Sequence, residues 1–141
     1  MARVNIVRPE AQFLSYATTH SAGLDLVACI EDSKTYLYPG KSTIVPTGIS
    51  LELEDDQVAL VYPRSGLGIK YGIALRNGTG VIDADYKGEV IVCLTNQSES
   101  MFVLEKGMRV AQLVLTKYER FENVKIDEVV RGTGGFGSTG T

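Results

Sequence analysis

The chain has 141 residues, of which 44% are hydrophobic and 22% charged, and its formal net charge is −3. This length and composition are typical of one globular domain, and the acidic balance argues against broad binding to DNA or RNA, which needs a basic face. No apolar run approaches the ~18 residues of a membrane span and the N-terminus lacks an apolar signal core, so we expect a cytoplasmic protein that binds neither nucleic acid nor a membrane.

Short runs rich in β-forming residues recur along the chain and are separated by turn residues. These runs cover residues 49–53, 58–62, 89–95, 101–104 and 109–118. Their spacing of about ten residues predicts an all-β sandwich or barrel. No long stretch has helical periodicity, and the sequence SGLGIKYG after Pro63 predicts one short helix.

The first polar interruption of an apolar run is Asp25, within SAGLDLVA. Such an aspartate can bind a cation directly or through water, because Mg2+ prefers oxygen ligands and keeps several waters. A turn-forming aspartate explains the pattern equally well. Since His20 is the only histidine, hydrolytic chemistry in this chain is expected to use carboxylates and a hard cation.

The next candidate is PRSGLG, which follows an apolar strand and precedes the predicted helix. Arg64 supplies charge, Ser65 a hydroxyl, and Gly66 allows backbone N–H groups to approach a ligand closely. These features are typical of a phosphate-binding turn. An ordinary tight turn with a helix cap fits the same residues.

The segment GIALRNGTGVIDADYKGEV contains two β-like runs around RNGTG, which predicts a hairpin. In a regular second strand, Asp83 and Asp85 share one face, and either carboxylate could polarise a water for attack on phosphorus. Tyr86, on the other face, offers a flat wall for a sugar. A solvated hairpin end with a packed tyrosine is the alternative.

Two further segments carry polar groups in unusual settings. Gln112, in RVAQLVL, could donate to a phosphate or make a structural hydrogen bond. The tail RGTGGFGSTGT cannot form a packed element, so we predict a β domain over residues 1–130 and a mobile tail over 131–141. In this tail Phe136 could stack on a base, while Arg131 and Ser138 could hold phosphate oxygens. A disordered linker is the alternative.

In this order, AGLDL, PRSGLG, GVIDADYKG, RVAQ and RGTGGFGSTG resemble the five motifs of the trimeric dUTP diphosphatase (dUTPase) family. The resemblance covers residues 21–139, and Gly68 departs from the alanine that is usual in the family. It implies an all-β distorted jelly roll with at most one short helix. It also implies a homotrimer with active sites shared between subunits, over which the glycine-rich tail closes.

The implied activity is hydrolysis of dUTP to dUMP and pyrophosphate, which provides dUMP for thymidylate synthesis and keeps uracil out of DNA. Asp83 would activate the water that attacks the α-phosphorus, and Asp25 would anchor Mg2+ through water. The implied substrate ligands are Arg64, Ser65, Gly66 and Gln112 for the phosphates, Asn77, Val81, Ile82 and Ile91 for uracil, Tyr86 for deoxyribose, and Arg131, Phe136, Gly137 and Ser138 for closure over the γ-phosphate and the base.

Two other functions compete with this interpretation. A dCTP deaminase, or the bifunctional deaminase–hydrolase, shares the implied fold but uses a glutamate for deamination. A non-catalytic nucleotide-binding β domain would lack part of the base or phosphate ligands, and none is missing here. The uracil segment and the tail follow the dUTPase pattern, so the sequence favours dUTP hydrolysis.

Overall fold

A computed structural model describes residues 1–127, which form eleven strands and one short helix. The predicted all-β fold with at most one short helix is confirmed. In chain order the elements are β1 (Arg3–Ile6), β2 (Gly23–Val27), β3 (Lys34–Leu37), β4 (Ser42–Pro46), β5 (Ile49–Glu52), β6 (Gln57–Pro63), α1 (Ser65–Tyr71), β7 (Ile73–Leu75), β8 (Gly80–Ile82), β9 (Ile91–Asn96), β10 (Phe102–Glu105) and β11 (Arg109–Lys117).

Antiparallel pairing joins these strands into two main sheets and two short ladders. One sheet has the order β2-β11-β6-β8, and the other has the order β4-β9-β7. The short ladders pair β1 with β5 and β3 with β10. Most neighbours in space are distant in sequence, so the topology depends on long-range pairing.

One cluster of buried apolar side chains draws on both main sheets. Leu26, Val61 and Leu113 contribute from the first sheet, and Val45 and Leu94 from the second. Each such side chain contributes about 1.5–3 kcal/mol when it is removed from water. This burial fixes which strand faces remain available for a ligand.

The short helix occupies the position that the sequence predicts. It ends where Gly72 adopts a left-handed φ of +67°, and the Gly72 N–H donates to the Gly68 carbonyl at 3.1 Å. A glycine ends a helix in this way because it has no Cβ to clash in that conformation. Within residues 1–127, no helix has the length and apolar character needed to cross a membrane.

The predicted hairpin around RNGTG is wrong. The two strands beside it do not pair with each other, because β7 pairs with β9 and β8 pairs with β6. The link is a tight turn in which the Gly78 N–H donates to the Leu75 carbonyl at 3.0 Å. The chain therefore passes from one sheet to the other here, and the two strands diverge.

The expectation that Asp83 and Asp85 share a strand face is also wrong. The strand β8 ends at Ile82, and residues 83–86 form a turn closed by the Tyr86 N–H, which donates to the Asp83 carbonyl at 3.1 Å. Because the strand stops one residue early, its two-residue alternation does not reach the carboxylates. The turn gives each aspartate a different environment.

Candidate active site

A cavity of about 300 Å³ lies where β7 and β8 diverge. We call it the Asp83 cavity. The six residues that the sequence assigns to the water, the uracil and the deoxyribose all line it: Asn77, Val81, Ile82, Asp83, Tyr86 and Ile91. The structure therefore brings together residues from the turn before β8, from β8 and the turn after it, and from the start of β9.

The cavity distinguishes the two aspartates. Asp83 lines it, whereas Asp85 lies only on a broader outer groove that Asp83 also borders. Both aspartates are exposed. Of the two, Asp83 is the one that lies in the wall of the Asp83 cavity.

Backbone groups contribute to the same cavity because β8 is an edge strand. It pairs with β6 on one side and ends the four-stranded sheet on the other. An edge strand presents unpaired N–H and C=O groups. Because main-chain groups alternate along an antiparallel strand, one of the two adjacent residues Val81 and Ile82 turns its N–H and C=O away from β6, where a planar ligand can pair with them.

A second cavity, of about 380 Å³, contains the other predicted group of residues. We call it the Asp25 cavity. The predicted phosphate and metal ligands Asp25, Arg64, Ser65, Gly66 and Gln112 all line it. The pairing of β2 with β11 places Asp25 level with Gln112, and that of β11 with β6 places Gln112 level with Tyr62, two residues before Arg64.

Asp25 lies between two arginines. Its Oδ1 is 3.4 Å from Arg64 Nε, and its Oδ2 is 3.5 Å from Arg109 Nη1. These distances exceed those of good charge-assisted hydrogen bonds, so the pairs are loose. The three side chains together carry one net positive charge, which favours an anionic ligand.

The Gln112 side chain contacts both strands that flank β11, namely β6 and β2. Its Nε2 donates to the Pro63 carbonyl at 3.1 Å, which is the structural hydrogen bond that the sequence left open. Its Oε1 lies 2.1 Å from where a Cβ on residue 23 would be. Residue 23 is glycine, and the absence of a side chain there allows Gln112 to occupy this position.

Among residues 1–127, the only carboxylate that lines the Asp25 cavity is that of Asp25 itself. Within residues 1–127, no group of three or more His, Cys, Asp or Glu side chains could enclose a metal ion. Mg2+ often binds through one or two carboxylates together with substrate phosphates and water. The donor set therefore fits a cation that is bound together with a phosphorylated ligand.

In the part of one chain that the structure describes, the two cavities are separate and have no lining residue in common. Asp25 and Asp83 are at opposite edges of the sheet β2-β11-β6-β8. Three strand spacings sideways and about four residues along the strands give roughly 20 Å between their Cα atoms. Each cavity therefore holds only part of the predicted set of ligands.

Sequence reasoning missed an ion pair beside the Asp83 cavity. Glu89, which lines the cavity, accepts from Arg8 Nε at 2.8 Å and from Arg8 Nη2 at 2.9 Å. The hydrogen bonds from Arg8 are the main cause that lowers the pKa of Glu89, and burial opposes them. No sequence pattern connects two residues that are 81 positions apart.

Four predicted site residues, Arg131, Phe136, Gly137 and Ser138, lie outside the residues that the structure describes. The predicted boundary between a β domain and a tail at residue 130 lies there too. These assignments stay predictions.

The dUTPase family model matches residues 9–140. A deoxyuridine 5'-triphosphate nucleotidohydrolase of Rickettsia felis is 50% identical over 128 residues, which cover 89% of this chain and 86% of that protein. The chain therefore belongs to the dUTPase family.

Solved structures of dUTPases have the same fold. A variant of the Staphylococcus bacteriophage 80alpha dUTPase with dUpNHpp matches with a TM-score of 0.83 at 22% identity, covering 100% of this chain and 99% of that one. A variant of the dUTPase from phage phi11 of S. aureus, described with a structural Mg(II) ion, matches with a TM-score of 0.79 at 19% identity, covering 91% and 97%. The expected distorted jelly roll is confirmed.

Replacing Gly23→Ala tests the packing of Gln112. The new methyl group must displace the Gln112 amide, so we expect dUTP turnover to fall about tenfold or more while the protein still folds. The matched control is Gly68→Ala, whose Cβ would meet only the Ile73 carbonyl at 3.6 Å and should preserve turnover. Steady-state kinetics of both variants provide the test, and equal turnover in the two would contradict the role of Gly23.

The lowered pKa of Glu89 predicts a pH-dependent contribution to stability. Because the folded-state pKa lies below the unfolded value of about 4.3, this contribution is complete above that pH and is lost as the pH falls through the folded value. Glu89→Gln should therefore be less stable than wild type at pH 7, with a difference that shrinks in acid. Urea unfolding at one protein concentration measures the free energy of unfolding of both proteins at each pH. A difference between them that does not change with pH would contradict this prediction.

Proposed function

We propose that this protein hydrolyses dUTP to dUMP and pyrophosphate. The observation that carries the proposal is the Asp83 cavity, in which one exposed carboxylate lies beside the predicted uracil and deoxyribose ligands. The Asp25 cavity supports it, because it gathers the predicted phosphate ligands around an excess of positive charge. A base site and a phosphate site together match a nucleoside triphosphate.

Asp83 is the proposed general base. Its carboxylate would orient a water and take its proton as the water oxygen bonds to the α-phosphorus. The bond from the α-phosphorus to the oxygen that bridges to the β-phosphorus breaks, and pyrophosphate leaves. Asp83 suits this role because it is exposed at the wall of the cavity that the predicted uracil and deoxyribose ligands also line.

The proposed phosphate ligands are Arg64, Ser65, Gly66 and Gln112. The first N–H groups of a helix have no acceptor within the helix, and α1 begins at Ser65 in the wall of the Asp25 cavity. The loose contact between Arg64 and Asp25 leaves guanidinium donors for a phosphate. Positioning and charge stabilisation of this kind account for most catalysis of phosphoryl transfer.

Asp25 is the proposed protein ligand of Mg2+, acting through water. When bound, Mg2+ would neutralise negative charge on the phosphate oxygens. Asp25 can exchange its contacts with Arg64 and Arg109 for this interaction, since both contacts are longer than good hydrogen bonds.

The proposed base specificity depends on main-chain groups of Val81, Ile82 and Ile91, together with Asn77. A site that pairs with the uracil edge would leave its own groups unpaired against cytosine, so it rejects that base. Tyr86, which is 46% exposed, would pack on the deoxyribose and exclude a 2′-hydroxyl.

The proposed complete site forms between chains of a homotrimer. Two observations support this arrangement: the two cavities are separate within one chain, and apolar side chains such as Ile44 and Ile69 are 66% and 86% exposed. A cyclic trimer would place the Asp83 cavity of one copy next to the Asp25 cavity of another. The tail would close over the bound substrate through Arg131, Phe136, Gly137 and Ser138. A cytoplasmic location stays a prediction.

The substrate assignment predicts that, with Mg2+, pyrophosphate is released much faster from dUTP than from dCTP, dTTP or UTP. The other three nucleotides each differ from dUTP at one place that the proposed site would contact. These places are the hydrogen-bonding edge of the base, its C5 position and the 2′ position of the sugar. A coupled pyrophosphate assay across the four nucleotides measures this preference. Release of ammonia from dCTP would instead identify a deaminase.

The role of Asp83 predicts that Asp83→Asn retains dUTP binding and loses turnover by about a hundredfold or more, because an amide cannot accept the proton. The matched control is Asp85→Asn, which changes a neighbouring carboxylate outside the Asp83 cavity. Isothermal titration and single-turnover kinetics separate binding from chemistry. Unchanged turnover in Asp83→Asn would remove it as the base.

A further inference from the structure

Glu89 is fixed at the end of the turn that carries Asp83 and Tyr86. Its carboxylate accepts two hydrogen bonds from Arg8, at 2.8 and 2.9 Å, and a third from the Gly48 N–H at 2.8 Å. Hydrogen bonds to an ionised group are shorter and stronger than neutral ones. Glu89 is therefore tied to the segment after β1 and to the turn between β4 and β5.

The ring of Tyr86 depends on Glu89 for its position. The Tyr86 hydroxyl donates to the Glu89 carbonyl at 2.7 Å. The ring lies against Gly88, where a Cβ would be 2.7 Å from the hydroxyl oxygen and 2.8 Å from Cζ. Tyr86 thus folds back along the turn, with its hydroxyl held by the Glu89–Val90 peptide and its backbone in the turn whose end the Glu89 carboxylate fixes.

The chain beyond Glu89 is held independently of Arg8. The Val90 N–H donates to the Ile49 carbonyl at 2.8 Å, and the Thr47 hydroxyl donates to the Val90 carbonyl. Because the Val90 N–H belongs to the same peptide as the Glu89 carbonyl, that carbonyl and β9 should stay in place when the Arg8–Glu89 pair is lost, while residues 83–88 loosen. The effect of such a loss would concentrate at the Asp83 cavity.

We infer that Arg8 and Glu89 are positioning residues that hold the Tyr86 ring against the sugar side of the Asp83 cavity and so set the preference for a 2′-deoxyribose. They act through Tyr86 and need not touch the substrate. The inference rests on the proposed function, in which Tyr86 packs on deoxyribose. A loosened ring would leave room for a 2′-hydroxyl.

The test compares kcat/KM for dUTP with kcat/KM for UTP in Arg8→Met, Glu89→Gln and Tyr86→Phe. We expect the ratio to fall about tenfold in each, the scale at which a pocket distinguishes one small group. KM for dUTP should rise while kcat changes little, because the water and its base remain. The matched control is Arg3→Met, which removes an exposed ion pair with Glu52 at 4.0 Å and should keep the wild-type ratio.

The double variant Arg8→Met/Glu89→Gln gives a second readout. If the two residues act as one unit, its ratio should match that of either single variant. A lower melting temperature with an unchanged ratio would overturn the inference and leave a purely structural pair. Tyr86→Phe keeps the Arg8–Glu89 ion pair, so it tests the inference even if Arg8→Met fails to fold. An unchanged ratio of kcat/KM in Tyr86→Phe would also overturn the inference. A wild-type protein that does not prefer dUTP to UTP would instead contradict the proposed function.

Discussion

The pairing of β6 with β11 on one edge and with β8 on the other is the constraint on which both cavities depend. Toward its C-terminal end, β6 aligns with Gln112 and leads directly into Arg64 and α1. Nearer its start, it pairs with β8 and fixes where that strand ends and the Asp83 turn begins. Val61, at the centre of β6, is buried in the shared core and also lines the Asp83 cavity. A shift in the register of this one strand would therefore disturb the Asp83 cavity and the Asp25 cavity together.

The local chemistry of the site could be predicted from the sequence, but its assembly could not. Asp25, Arg64 and Gln112 each stand out as polar residues at the edge of an apolar run, yet they share a cavity only through long-range pairing of β2, β11 and β6. The hairpin prediction failed because turn residues show where a chain bends and carry no information about which strands pair. Strand periodicity left the choice between Asp83 and Asp85 open, and the resemblance to the dUTPase family favoured Asp83. In the structure the turn after β8 separates the two aspartates, and Asp83 is the one that lines the Asp83 cavity.

The proposed mechanism assigns the Asp25 cavity to the phosphates and the Asp83 cavity to the base and the attacking water. The phosphate side concentrates positive charge around a single carboxylate, which suits a triphosphate that arrives with Mg2+. The base side offers an edge strand and one exposed carboxylate, which suits hydrogen-bond recognition and activation of water. Bringing the two sides together between chains would make catalysis depend on assembly, so an isolated chain would hold only a partial site. In its proposed positioning role the Arg8–Glu89 pair adds a third requirement, because sugar recognition would also depend on how firmly the Asp83 turn is held.

Complementation between inactive variants tests the shared site most directly. Asp83→Asn disables the base and Arg64→Ala the phosphate side, and the two variants can be unfolded together and refolded as a mixture. If a site joins the Asp83 cavity of one copy to the Asp25 cavity of another, random trimers from an equal mixture contain intact sites at roughly a quarter of positions. We expect dUTP turnover to recover to about that fraction of wild type. Turnover no higher than that of the two variants refolded separately would show that each chain carries a complete site of its own.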